Sequence, residues 1–245
     1  MENCTWNTNP SFVCKKNKIS SLEALLRWHH PIYNAISPLE VIDIAEQYGI
    51  TEDLGHWLVS ETASQIKSWK DSGIEPVPVS INISPSMYQM NLVEIINSAL
   101  ESYGLPRGLI WIEITEDTSL EIINEVQAIL PDLAAEGIKA SLDDFGTGLS
   151  SLSHLRQLPI NAVKIDRSFI GNLEQDKKSR DLVRHIINIG HDLGIKVVAE
   201  GIEDKYSNDF LFESQCDYAQ GYYYSRPQKP EAIGNLLCSS VNNKT

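Results

Sequence analysis

Short runs of β-branched and apolar residues alternate with longer stretches of helical period from about Lys18 onward, which restricts the chain to repeated βα units around a parallel sheet. The strand candidates are Trp6 to Val13, Ile19 to Trp28, Val77 to Ile83, Leu109 to Thr115, Lys139 to Asp143, Ala162 to Ile165, Lys196 to Ala199 and Tyr218 to Tyr224. Eight strands in 245 residues match the size of one closed α/β barrel. Ser37-Pro38-Leu39-Glu40 reads as a capping box with proline at the first helical position. The helix it opens is expected to turn Leu39, Ile42, Ala45 and Tyr48 inward, with Asp43 and Gln47 outward and a stop at Gly49. Asp181 to Leu193 reads the same way, with Leu182, Ile186, Ile189 and Leu193 on one stripe ended by Gly194. One domain is expected over residues 1–238, followed by a frayed polar tail over 239–245.

Composition narrows the class. Hydrophobic residues at 42% and charged residues at 22% leave enough apolar surface for a sizeable core without disulfides. The net charge of −13 gives no electrostatic footprint for a DNA or RNA polymer or an anionic membrane, so a phosphate-bearing ligand would need a cation. Cys4, Cys14, Cys216 and Cys238 form no C-x-x-C pair, which argues against a zinc or redox motif and fits a reduced cytoplasm. Met1 to Lys18 is polar, and no apolar run approaches the roughly 18 residues of a membrane span.

The chemistry is carried by polar residues at the strand ends: Glu23, Asn82, Glu113, Asp143, Asp144, Lys164, Glu200 and Gln220. Any one strand-end acid is more often a helix cap or a solvated loop residue. In a parallel barrel, however, the C-terminal strand ends converge on one mouth, and scattered acids become a site. Carboxylates crowded there repel one another unless a positive charge sits among them, and an all-oxygen donor set suits Mg²⁺ or Mn²⁺ rather than zinc. The adjacent Asp143-Asp144 pair invites a bridge between two such ions, which ~3.5–4 Å apart activate a water and neutralise an in-line phosphorus. Ca²⁺, with its looser geometry, is expected to bind yet support turnover poorly, as an inhibitor. Lys164 interrupts an apolar strand, where burial is costly without adjacent carboxylates. Gly146 to Ser151 forms a hydroxyl-rich loop beside the Asp pair, and Glu116 is a candidate to hold it. His29-His30 lacks a third ligand and reads as loop chemistry.

These motifs resemble the EAL-domain family of cyclic di-GMP phosphodiesterases, named for the triplet Glu23-Ala24-Leu25. In family order the chain carries Glu-Ala-Leu-Leu-Arg-Trp, Asn-Ile-Ser, Glu-Ile-Thr-Glu, Asp-Asp-Phe-Gly-Thr-Gly, Val-Lys-Ile-Asp-Arg-Ser-Phe, Ala-Glu-Gly-Ile-Glu and Gln-Gly-Tyr. The resemblance implies a modified TIM (β/α)8 barrel with its first strand antiparallel, and hydrolysis of cyclic di-GMP to linear pGpG with two Mg²⁺ or Mn²⁺ ions. It implies Glu23, Asn82, Glu113, Asp143 and Asp144 as metal ligands, Lys164 as the residue that polarises the attacking water, and Glu200 as its orienter or base. Leu26, Arg27 and Gln220 are implied as substrate contacts, Glu116 and Glu203 as supports of the loop, and a homodimer as the working form. Asn9-Pro10 stands where the family usually has Gln-Pro, and Leu149 replaces a common aromatic in the loop. Two other readings stay open: an inactive cyclic di-GMP receptor or scaffold of the same family, and a metal-dependent hydrolase or lyase acting on another phosphorylated substrate.

Overall fold

A computed structural model describes residues 4–14, 18–30, 32–115, 120–147 and 152–242. Eight strands close into a barrel: β1 (Cys4–Val13), β2 (Lys18–His30), β4 (Val79–Asn82), β5 (Ile110–Thr115), β6 (Lys139–Phe145), β7 (Ala162–Ile165), β8 (Lys196–Ala199) and β9 (Tyr218–Ala219). All neighbours pair in parallel except β1, which runs antiparallel to both β2 and β9 and so closes the ring. A short β3 (Asn34–Ile36) folds back on the end of β2 as a hairpin that the sequence pattern did not signal. It carries the His29-His30 pair into strand structure instead of a loop, and His30 Nδ1 accepts from the Ile32 and Tyr33 amides to cap the turn.

The helices α1 (Pro38–Gln47), α2 (Thr51–Asp71), α3 (Leu92–Ser102), α4 (Leu120–Ala135), α5 (Leu152–Gln157), α6 (Arg167–Ile170), α7 (Lys177–Asp192), α8 (Lys205–Glu213) and α9 (Pro230–Asn242) surround the ring. Strand alternation divides each strand between two environments. Leu22, Val79, Ile81, Ile110, Ile112, Val163, Val197 and Ala199 are almost wholly buried in one core. Each large side chain of this set contributes roughly 1.5–3 kcal/mol of transfer free energy. At the alternate positions Glu23 pairs with Ser80, and Glu113 with Asn82 on one side and Ser141 on the other; with Asp143 and Lys164 they share the inner face.

The capping box forms as read: Ser37 Oγ accepts from the Glu40 amide at 3.2 Å while Glu40 Oε2 accepts from the Ser37 amide at 3.0 Å. The inward face differs from expectation. Val41 and Ala45 are buried, whereas Leu39 and Tyr48 are 73% and 72% exposed. Leu39 stands in the first turn, ahead of the part of the helix that lies on the barrel, and Tyr48 is already the C-cap. In α7 the start is Lys177, capped by Asp176, and Val183, Ile186, Ile187 and Gly190 face inward while Leu182 and Leu193 are exposed. The face is centred on Gly190, where an added Cβ would stand 2.5 Å from Val197 Cγ2, and a glycine is not read as apolar packing surface from sequence. The last strand stops at Ala219 instead of Tyr224, and α9 continues through Asn242 into the stretch expected as tail. Trp69 Nε1 donates to the Pro230 carbonyl at 3.1 Å, and Ile233 and Leu237 are buried, which anchors that helix. Among the described residues no helix is long and apolar enough to cross a membrane.

Away from the mouth, Asp217 ties β8 to the segment before β9, accepting from Lys196 Nζ at 2.7 Å and the Val197 amide at 3.0 Å, with His191 Nε2 at 2.9 Å. Burial pushes its carboxyl upward, but these partners outweigh burial and hold it below the ordinary 3.8. A depressed carboxylate stabilises the fold above its unfolded value, and that contribution is lost as pH falls through the folded value. Asp217→Asn is therefore expected to melt a few degrees lower than the parent at pH 7, with the gap closing below roughly pH 4 in thermal melts. A gap independent of pH would assign the loss to packing instead of charge.

Candidate metal centre

At the C-terminal rim of the strands, Lys164 of β7 projects into the barrel with only 3% of its surface exposed. Its Nζ lies 2.7 Å from Glu200 Oε1, 2.8 Å from Glu113 Oε2, 3.0 Å from Asp143 Oδ2 and 3.7 Å from Glu23 Oε2. Three strands, and the residue that follows β8, thus aim a carboxylate at one ammonium. Burial opposes its charge, but Glu113, Glu200, Glu23 and Asp143 together hold its pKa well above the usual lysine value, so it stays protonated.

One positive charge does not balance this cluster. Burial raises the Glu113 carboxyl to about 8; Lys164 counters it, and Glu23 and Asp143 add to it. Burial likewise raises Glu200 to about 7, opposed by Lys164 and reinforced by Asp143 and Glu23. Glu23 is the exception. Burial pushes it up, yet Lys164 and the side chains of Gln220, Asn82 and Asn9 hold it below its ordinary value. Gln220 Nε2 donates to Glu23 Oε2 at 2.7 Å and Asn82 Nδ2 to Glu23 Oε1 at 3.2 Å.

Adjacent residues of a strand ordinarily point to opposite faces. Asp144 escapes this rule because it adopts a left-handed backbone with φ of 54°, and the β6–β7 register shifts between Leu142 and Phe145. Such a conformation costs on the order of 1 kcal/mol or more outside glycine. The Asp144 amide donates to Asp143 Oδ1 at 2.8 Å, and the Asp144 carbonyl accepts from Thr147 Oγ1 at 2.8 Å. The result is two overlapping sets of oxygens, Glu23–Glu113–Asp143 and Asp143–Asp144–Glu200, each within 4.8 Å of one another. Asp143 alone belongs to both sets. The all-oxygen donors, the surplus negative charge and the shared carboxylate fit a pair of hard divalent cations.

Of the other residues singled out in the sequence, Gln220 is buried beside Glu23, and Asn82 stands exposed at the rim. Arg27 lies further along β2, its Nη1 donating to the Leu26 carbonyl at 2.7 Å. Leu26 is buried on the opposite face of the strand from Glu23 and lines a cavity of about 430 Å³ with Leu25, Ile42, Ile83 and Met87, rimmed by Asn82 and Thr115. Glu203 is exposed, and Glu116 and Leu149 lie outside the described residues. Asn9 reaches Glu23 from β1 as a hydrogen-bond partner, so the departure from glutamine keeps a donor there. Ser80 and Ser11 were missed. Ser80 Oγ donates to Glu113 Oε1 at 2.6 Å, and Ser11 Oγ donates to Gln220 Oε1 at 2.6 Å. Their signal was a small polar residue on the inner face of a strand, as with Ser80 two positions before Asn82. Gly221, two residues past the end of β9, has no room for a side chain, since any Cβ there would meet the Ile202 backbone at 2.3 Å.

The EAL domain family model matches residues 9–227. The chain belongs to the EAL family. Among curated relatives, signaling protein YkoW of Bacillus subtilis is 40% identical over 229 residues, covering 93% of this chain and 28% of that protein. The bifunctional diguanylate cyclase/cyclic di-GMP phosphodiesterase MucR of Pseudomonas aeruginosa is 34% identical, covering 91% of this chain and 33% of that protein. A solved structure of the MucR phosphodiesterase in complex with c-di-GMP superposes with a TM-score of 0.86 at 33% identity over 94% of both chains. The chain thus spans about a third or less of the length of these curated relatives.

Proposed function

We propose that this EAL domain hydrolyses cyclic di-GMP to linear pGpG, acting in signalling by that messenger. The observation that carries the reading is the pair of carboxylate sets sharing Asp143 at the barrel mouth. Glu23, Asn82, Glu113 and Asp143 would hold one cation and Asp143, Asp144 and Glu200 the other. Mg²⁺ or Mn²⁺ bound there supplies the activation of water and the neutralisation of charge on the phosphoryl group.

The chain's own residues do the rest. Lys164 keeps its proton and donates a hydrogen bond toward the attacking oxygen, holding it against the scissile phosphorus. Glu200, which shares Lys164 with the first carboxylate set, orients that water. Gln220 and Asn82 fix Glu23 through both of its oxygens, so it does not reorganise as charge develops. Arg27, above Glu23 on the same strand face, is suited to a phosphate oxygen. The cavity beside Asn82 would take one purine: its Leu25 and Leu26 walls suit a flat ring, and Asp43, Glu46 and Ser84 offer acceptors for guanine N–H groups. Glu116 and Glu203 as loop supports, and a homodimer as the working form, rest on the family resemblance.

Product analysis tests the reading. With Mg²⁺ or Mn²⁺ the domain is expected to convert cyclic di-GMP to pGpG, with chelator or Ca²⁺ nearly abolishing turnover. Bound but intact nucleotide in the presence of Mg²⁺ and Mn²⁺ would instead identify a receptor. Cleavage of other phosphate esters without cyclic di-GMP turnover would identify a different hydrolase.

A further inference from the structure

The seam at which the barrel closes holds a pair of thiols that the metal centre does not use. Among the described residues β9 pairs with β1 through Phe12↔Ala219 and Val13↔Tyr218, the antiparallel register continuing in the Cys14 amide bond to the Asp217 carbonyl at 3.2 Å. That register sets Cys14 diagonally across from Cys216, and the two side chains hydrogen-bond each other. Cys216 is 2% exposed, with the Val197 and Tyr218 carbonyls 3.5 and 3.3 Å from its Sγ, while Cys14 is half-buried. Tyr224 stacks on Phe12 with ring centroids 4.8 Å apart and covers the same corner. The hydrogen bond to Cys14, and then burial, push the Cys216 thiol well above its ordinary pKa. Cys216 therefore keeps its proton, and Cys14, the more accessible of the two thiols, is the one an oxidant meets first.

We propose that Cys14 and Cys216 form a dithiol site that a hydroperoxide oxidises to a reversible disulfide across the β1–β9 seam. Cys14, giving up its proton, attacks one oxygen of hydrogen peroxide; the O–O bond breaks, the sulfenic acid forms, and the departing hydroxide leaves with that proton as water. Cys216, losing its proton, then attacks the Cys14 sulfur and expels a second water. Two thiols and one peroxide thus yield one disulfide and two waters. The bridge joins points near opposite ends of the chain, and most of the unfolded chain's freedom lies in the loop it closes. The same seam carries the Ser11–Gln220–Glu23 hydrogen-bond chain, so the bridge stands at the foot of a ladder leading to the metal centre.

The test exposes the purified protein to hydrogen peroxide, counts free thiols after denaturation and maps cross-linked peptides. Of the four cysteines, two are expected to remain free, with Cys14 and Cys216 joined and dithiothreitol restoring all four. The bridged form should melt roughly 5–15 °C higher. In Cys216→Ser the cross-link should vanish while Cys14 becomes trappable as a sulfenic acid. The proposal is overturned by four free thiols, by losses mapping to Cys4 or Cys238, by separate oxidation of Cys14 and Cys216, or by a bridged form that melts lower. The mapping on the unaltered protein decides the matter even where the serine variant does not fold.

Discussion

Replacing Lys164 by methionine should cost the metal-free protein about 3–5 kcal/mol, a large share of the roughly 5–15 kcal/mol that holds a typical domain together. Methionine fills similar volume and removes only the charge, leaving Glu23, Glu113, Asp143 and Glu200 facing one another with no cation among them. Part of the loss is relieved by protonation, since burial already raises Glu113 to about 8 and Glu200 to about 7 with the lysine in place. Carboxyls raised above their unfolded values favour the fold at low pH and lose that contribution as pH rises through the folded values. The variant is therefore expected to be weakest above pH 8 and to recover toward pH 6. Saturating Mg²⁺ should recover it too, because added positive charge replaces the missing ammonium. Denaturant titrations at pH 6 and pH 8, with chelator or Mg²⁺, read all of this. A variant as stable as the parent in chelator at pH 8 would show that the ammonium is not what balances the cluster.

Glu23→Gln should lower the rate of cyclic di-GMP hydrolysis by at least about 10²–10³-fold, the range found when one preorganised charge-stabilising group is lost. The change keeps the shape of the side chain and removes a negative charge from the first carboxylate set. It also leaves the Gln220 and Asn82 amides donating toward a group with a single acceptor oxygen, so one of the two contacts must turn away. Steady-state kinetics should show the loss mainly in kcat, together with a higher Mg²⁺ requirement. Turnover within a few-fold of the parent would remove Glu23 from the cation-holding set and with it the assignment of the mouth as the reactive centre.

Much of this architecture was readable before any coordinates. Strand placement held within a few residues for seven of the eight barrel strands, because buried parallel strands are β-branched runs bounded by turn residues. The eighth ends early at Ala219, ahead of the tight approach of Gly221 to the Ile202 backbone, and β3 is too short to show a period. Inward faces of α1 and α7 were misjudged by about one position, since apolar spacing gives a helix its period while the neighbouring strand decides which residues meet it. Glu23, Glu113, Asp143 and Lys164 were legible because a charge inside an apolar strand has few inexpensive explanations.

The linear order of residues determined the βα alternation, the identity of the inward acids and the family, since all three depend on local pattern and residue type. Tertiary structure alone decided that Asp143 is the carboxylate common to both oxygen sets and that Glu200 joins Asp143 and Asp144. It also decided that Cys14 meets Cys216. These are relations between distant points of the chain. They depend on strand register and on a left-handed turn at Asp144, which are settled by how the ring closes and by no single segment's own preference.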